Sequence, residues 1–253
     1  MKKPTSLIGL ASFLCFIGIL LVMTFNSHSQ NVGRPKSPEI DFKNFPIASF
    51  DEPSPTESQA RDDRKIKNKK FNSKAKAISE SSTQIFTVMD WDVGLPAFPI
   101  DRSSAVVIGR VIEAKAYLSD DKTAIYSEFK VQIDSVLKND ERCPIQPETS
   151  LIVGREGGRV RLPSGKIVVS WINHQNMPTM GGKYAFFLTH ELPRGGDGGN
   201  DFYIVTAYEL ANGNVVPMDD IPSGHPIAAI KGRSESSFVK DLLSVLDSSR
   251  KSR

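Results

Sequence analysis

The sequence predicts an all-β domain, a small antiparallel barrel that is closed or nearly closed, with one amphipathic helix at its C-terminal end and a transmembrane helix at its N-terminus. Three observations predict it. From Ser104 to about residue 218 apolar residues alternate in short runs separated by turn residues. Near the end the period changes to that of a helix. Near the start lies an apolar stretch without charge, long enough to cross a bilayer.

That stretch is Leu7 to Phe25 (LIGLASFLCFIGILLVMTF), 19 residues interrupted only by Gly, Ser and Thr. As a helix it is about 28 Å long against a hydrocarbon core of about 30 Å. Lys2 and Lys3 precede it on a short tail, which predicts a cytoplasmic N-terminus and export of everything after Phe25. An uncleaved anchor is favoured. Ser27-His28-Ser29 also offers a cleavage site, and secretion after Ser29 is the alternative. Leu14, a bulky residue directly before Cys15, excludes a lipoprotein cysteine.

Residues 30–83 are rich in Pro, Ser, Asn, Asp and Lys, a composition that buries too little apolar surface to offset chain entropy. They read as a disordered basic tether. Arg61 to Lys76 holds eight basic residues against Asp62 and Asp63. Anionic lipid head groups or phosphate-bearing envelope polymers suit such a run in an exported protein. Beyond it, residues 77–253 carry 19 basic and 22 acidic side chains, which excludes a basic nucleic-acid module.

The β-domain is expected over 84–220. Ala105 to Ala114 is apolar on both faces and reads as a central strand. Tyr126 to Ile133 alternates, with Phe129, Val131 and Ile133 inward and Glu128, Lys130 and Gln132 outward; the phase then slips as a β-bulge would require. Short strands follow at 151–153, 159–162, 167–172, 183–189, 203–210 and 215–218. Asn212-Gly213 is the strongest hairpin signal. The connections are too short for crossover helices, hence the antiparallel expectation. Residues 221–253 should form a loop and a helix over 236–247, with Phe238, Leu242 and Val245 on one face and a cap at Ser236 or Ser237.

The succession Ala105-Val106-Val107-Ile108-Gly109-Arg110-Val111, Tyr126-Ser127-Glu128-Phe129-Lys130-Val131, Val136-Leu137-Lys138, Arg155-Glu156-Gly157-Gly158, Gly182 to Leu188 and Tyr208-Glu209-Leu210 resembles a group of uncharacterised bacterial exported β-barrel proteins. The Val-Gly-x-Val strand and Val-Leu-Lys also resemble, more distantly, netrin-like OB barrels such as tissue inhibitors of metalloproteinases. The resemblance covers about residues 103–220 and implies an OB-like barrel. It does not carry over the inhibitory mechanism, which in that family uses several disulfides and an N-terminal metal-binding cysteine, whereas here Cys15 and Cys143 are the two cysteines.

No catalytic, cofactor or metal site is expected. There is no nucleophile elbow, no dinucleotide or phosphate-loop fingerprint, and no regular spacing among His28, His174, His190 and His225. Cys143 stands alone before Pro144, and neither Cys-x-x-Cys nor Cys/His spacing for a structural zinc occurs. The expected function is a non-catalytic binding or interaction module for an envelope protein or anionic polymer. Its contact surface is placed on Arg155, Arg159 and Arg161 with Asp197 and Asp201 of the glycine-rich loop, where forked guanidinium groups could grip carboxylate or phosphate. The alternative is an exported hydrolase or metal-assisted enzyme using Asp90 and Asp92 with His174 or His190. Oligomeric state is not legible.

Overall fold

One short strand and a helix lie inside the stretch whose composition argues for an unfolded tether, β1 (Ile47–Ser49) and α1 (Ser58–Lys70), and β2 (Ile85–Asp90) follows just beyond it, where the β-domain is expected to begin. The chain is seen in a computed structural model that describes residues 42–52, 55–82, 85–90, 94–192, 196 and 198–251, all within the compact unit Ile40–Arg253. Residues 7–25, Ser29, Asp92 and Asp197 lie outside the described residues. Among the described residues no helix is long and apolar enough to cross a membrane.

The rest is mainly β-sheet. β3 (Ala105–Leu118) and β4 (Ile125–Lys138) form a long antiparallel pair. β5 (Ser150–Glu156), β6 (Gly158–Arg161), β7 (Ile167–Asn173), β8 (Lys183–Thr189), β9 (Phe202–Ala211) and β10 (Asn214–Pro217) follow. The larger sheet has the order β10-β9-β5-β4-β3-β8, and β9 also pairs with β8. Strands β3, β4, β5, β9 and β8 therefore form a closed cycle of hydrogen-bonded neighbours. A second sheet has the order β1-β6-β7-β2.

The sheets are not wholly antiparallel. β5 pairs with β9, β1 with β6 and β2 with β7 in parallel. Parallel pairing needs a long connection, and β6, β7 and β8 together supply one between β5 and β9. The bulge after Ile133 is present: Gly109 opposes Ile133 while Ile108 opposes Ser135, so Asp134 is the extra residue. Asn212 and Gly213 turn at φ of 52° and 76°, the double positive φ that a tight hairpin demands.

The two faces of β3 serve two cores, which explains why both are apolar. Ala105, Val107 and Val111 join Phe129, Val131, Ile133, Val153, Phe186, Leu188, Phe202 and Ile204, so all five strands of the cycle feed one core. Val106 and Ile108 face the other way with Ala185, Phe187 and Tyr208, under α2 (Glu235–Lys251). That helix buries Phe238, Leu242 and Leu246, at i, i+4 and i+8. Val245, expected on the buried face, is 41% exposed. The cap is Ser234, whose hydroxyl accepts the Ser237 N–H at 3.3 Å, two or three residues before the expected position.

Candidate functional site

Helix α1 buries none of its own residues, and charge attaches it to the sheet. Arg64, Lys67 and Lys70 recur every third residue and so share a face. Arg64 donates to both carboxylate oxygens of Glu128 at 2.8 and 3.0 Å. Lys67 reaches Glu128 at 2.9 Å and Asp201 at 3.2 Å, and Lys70 reaches Asp201 at 2.6 Å and the Gly198 carbonyl at 2.7 Å. Just past the helix, Phe71 stacks on Tyr126 with ring centroids 4.0 Å apart, so this ring is not available to a nucleic-acid base. Residues 58–71 are thus folded because acidic and aromatic partners elsewhere in the chain receive them, which composition does not report.

The same contacts change the status of two carboxylates. Glu128, expected to point outward, is buried beneath α1. Burial alone would raise the Asp201 carboxyl, but Lys70 and Lys67 outweigh it and hold it below the usual carboxylate range. Asp201 is therefore ion-paired within the chain while part of its side chain stays in contact with solvent.

Beside α1 a cleft of about 690 Å³ opens toward the β3–β4 turn, bordered by Phe50, Tyr117 and a majority of basic over acidic side chains. Arg64 lies over the Tyr117 ring at 3.7 Å and Lys122 over the Phe50 ring at 3.8 Å. Arg61 and Lys65, on the cleft side of α1, make no ion pair with any described residue.

The three arginines expected to form a contact surface diverge. Arg155 is fully buried and pairs with Asp219, itself buried, which also accepts the Asn176 N–H at 3.0 Å and the Thr206 hydroxyl at 2.8 Å. Arg159 donates to the carbonyls of Phe45 and Lys43 at 2.8 and 2.9 Å, fixing the segment before β1. Arg161 is exposed. The turn at Gly157 and Gly158, with φ of 106° and 147°, separates Arg155 from the other two. They share no face.

A different group of residues does converge. β3 is antiparallel to both β4 and β8, with Val106 opposite Lys138 and Ala105 opposite Leu188. The C-terminal ends of β4 and β8 therefore meet beside the start of β3. Asp140 and Cys143 follow β4, and His190 follows β8; one ligand atom from each lies within 4.8 Å of the others. Asp140 closes its own turn by accepting the N–H groups of Arg142 and Cys143, both at 2.8 Å. Burial opposes ionisation of Asp140, yet these two N–H groups outweigh it and hold its carboxyl below the usual range.

His190 is fixed from both sides. Its carbonyl accepts the Gly198 N–H at 2.7 Å, and a Cβ at Gly198 would fall 2.3 Å from that oxygen, so glycine is required there. Its ring lies 4.4 Å from Phe202. Nδ1 is 3.1 Å from the Asp201 carbonyl oxygen, and because a carbonyl only accepts, Nδ1 carries a proton. Nε2 is 3.1 Å from Asp140 Oδ2 but out of line for a hydrogen bond, and is a buried nitrogen without such a partner. Sequence reasoning missed this group because Cys143 and His190 are distant in the chain. The available signal was Asp140-x-x-Cys143 just after one strand and His190 just after another.

Of the Asp90 and Asp92 alternative, Asp92 and the Asp90 side chain lie outside the described residues. Asp90 ends β2, its backbone opposite Asn173, and His174 Nδ1 lies 2.7 Å from the Asp220 carbonyl oxygen. No family model, no curated protein and no solved structure matches this chain.

Proposed function

We propose that this chain is an exported, membrane-tethered and non-catalytic binding module: an OB-like barrel, anchored by residues 7–25, that takes a phosphate-bearing envelope polymer in the cleft beside α1. The closed strand cycle with its single core, and one parallel pair closing an otherwise antiparallel ring, support the barrel. The cleft carries the binding reading. Arg64, Lys67 and Lys70 are neutralised by Glu128 and Asp201, but Arg61 and Lys65 at the cleft meet no acidic partner among the described residues, and Lys122 projects over Phe50 on the opposite wall. A cleft of this size with cations on both walls suits a chain of phosphates better than a compact neutral ligand.

The test is a titration of the full chain in detergent with polyphosphate, read by calorimetry at several salt concentrations. Binding should weaken steeply with salt. Changing Arg61, Lys65 and Lys122 together to Ser should lower affinity by on the order of 100-fold, from about 1 kcal/mol per cation. Equal affinity of the triple variant would reject the cleft as the binding site.

A further inference from the structure

We propose that Asp140, Cys143 and His190 form a binding site for a divalent transition-metal ion of zinc's class. The site lies at the ends of β4 and β8, shares no residue with the cleft beside α1, and stands independently of the polymer-binding reading.

The placement of His190 Nε2 carries the inference. Nδ1 is taken by the Asp201 carbonyl, and Nε2 is buried 3.1 Å from a carboxylate oxygen of Asp140 with no hydrogen bond of its own. A cation beside both atoms would engage them together. A second proton on the ring would serve if it pointed along the line to Oδ2, but Nε2 is out of line for that bond and buried without another. A metal ion needs no such alignment with Oδ2, because each ligand directs its own lone pair at the ion. Cys143 then supplies a third donor within 4.8 Å of the other two.

The donor set also separates a metal site from a nucleophile, base and orienter relay. In a relay the base uses one ring nitrogen for the nucleophile and the other for the orienting group. Here Nδ1 is occupied by a backbone carbonyl, and the carboxylate approaches Nε2, the nitrogen that a thiol would need. An Nδ1–H held by a carbonyl while Nε2 faces the ion is the usual support of a ligating histidine. One thiolate, one imidazole and one carboxylate are borderline donors that suit zinc and its neighbours over calcium or magnesium. Three protein ligands leave a fourth position for water, and Asp140 borders an open cleft of about 630 Å³ through which water and metal can enter.

The experiment uses the full chain in detergent, stripped with chelator under reducing conditions and titrated with Co²⁺ and then Zn²⁺. Uptake of one Co²⁺ per chain should produce a thiolate-to-cobalt charge-transfer band in the near ultraviolet, which Zn²⁺ then abolishes by displacement. Cys143→Ser should remove the band. Both Cys143→Ser and Asp140→Asn should weaken Zn²⁺ uptake by more than the roughly 10- to 100-fold that loss of a supporting partner costs. Asp140→Asn keeps the oxygen that accepts the turn's N–H groups, and strand content of each metal-free variant by circular dichroism separates lost ligation from lost folding. Absence of the thiolate band in the wild type overturns the proposal, as does undiminished Zn²⁺ uptake by a folded Cys143→Ser chain. A His190 ring found doubly protonated at neutral pH by NMR, in a chain saturated with Zn²⁺, would equally overturn it.

Discussion

Helix α2 is attached to its sheet through Phe238, Leu242 and Leu246, all nearly inaccessible, whereas α1 is attached through Arg64, Lys67 and Lys70, which keep part of their surface in water and reach Glu128 and Asp201. The apolar attachment is non-directional and insensitive to salt. The charged one is directional, weakened by screening, and depends on partners that would be costly to leave buried alone. Two helices of similar length on one domain thus differ in what loosens them. The difference also has a functional edge, because Asp201 receives Lys67 and Lys70 through its carboxylate and His190 through its carbonyl, so α1 docking and the orientation of His190 share one residue.

The largest expected effect falls on the apolar side. Leu242→Ala should cost about 2–5 kcal/mol, the range for a buried leucine whose cavity closes only in part. Denaturant unfolding should register the loss equally at low and high salt. A loss that shrinks with added salt would show that α2 is held by its exposed pairs, Lys183 with Glu235 and Arg233 with Asp241, and not by its apolar stripe.

The charged side should break more gently and more locally. Glu128→Gln leaves Arg64 and Lys67 without their shared carboxylate, at a cost of about 1–3 kcal/mol, between the figures for exposed and for fully buried pairs. Hydrogen exchange should speed up over residues 58–71 and remain unchanged over 235–251. Parallel acceleration of both helices would mean that α1 has no separate opening and that the contrast is false.

The contrast also explains which parts of the fold were legible. Periodicity reports apolar faces, so β3, the alternation of β4, the Asn212-Gly213 hairpin and α2 could all be read from the chain. Helix α1 carries no apolar stripe, and what folds it is a set of cations whose partners lie in β4 and just before β9. Alternation does not encode strand direction, so the three parallel pairs were invisible, as was the order that closes the cycle through β9. The arginines near the Gly157 turn looked equivalent, yet burial gave Arg155 to Asp219 and backbone carbonyls took Arg159. Asp140, Cys143 and His190 were individually visible, but only the shared neighbour β3 brings the ends of their strands together.

The smallest effect concerns the junction between the end of α1 and the β3–β4 turn, where the charged attachment can be titrated. Asp121 accepts from the Thr123 hydroxyl at 2.6 Å, the Ser119 hydroxyl at 2.8 Å, the Thr123 N–H at 3.1 Å and the Ser73 N–H at 3.3 Å, and its own N–H donates to Asn72. Slight burial opposes ionisation, but these donors prevail and hold the carboxyl below its ordinary value. A carboxylate lowered on folding stabilises fully above its unfolded pKa of about 3.9 and loses that contribution as the pH falls through the lowered value. The wild type should therefore be more stable than Asp121→Asn by the same small margin at about pH 7 and about pH 5, where unfolded Asp is ionised. The margin should narrow below about pH 4, and exchange at the Ser73 amide should rise over the same range while the Phe238, Leu242 and Leu246 stripe, which carries no titrating group, stays protected. A margin that persists undiminished in acid would mean that the bonds formed by Asp121 do not require its charge, and the attachment of α1 at this junction would then resemble that of α2 more than its chemistry suggests.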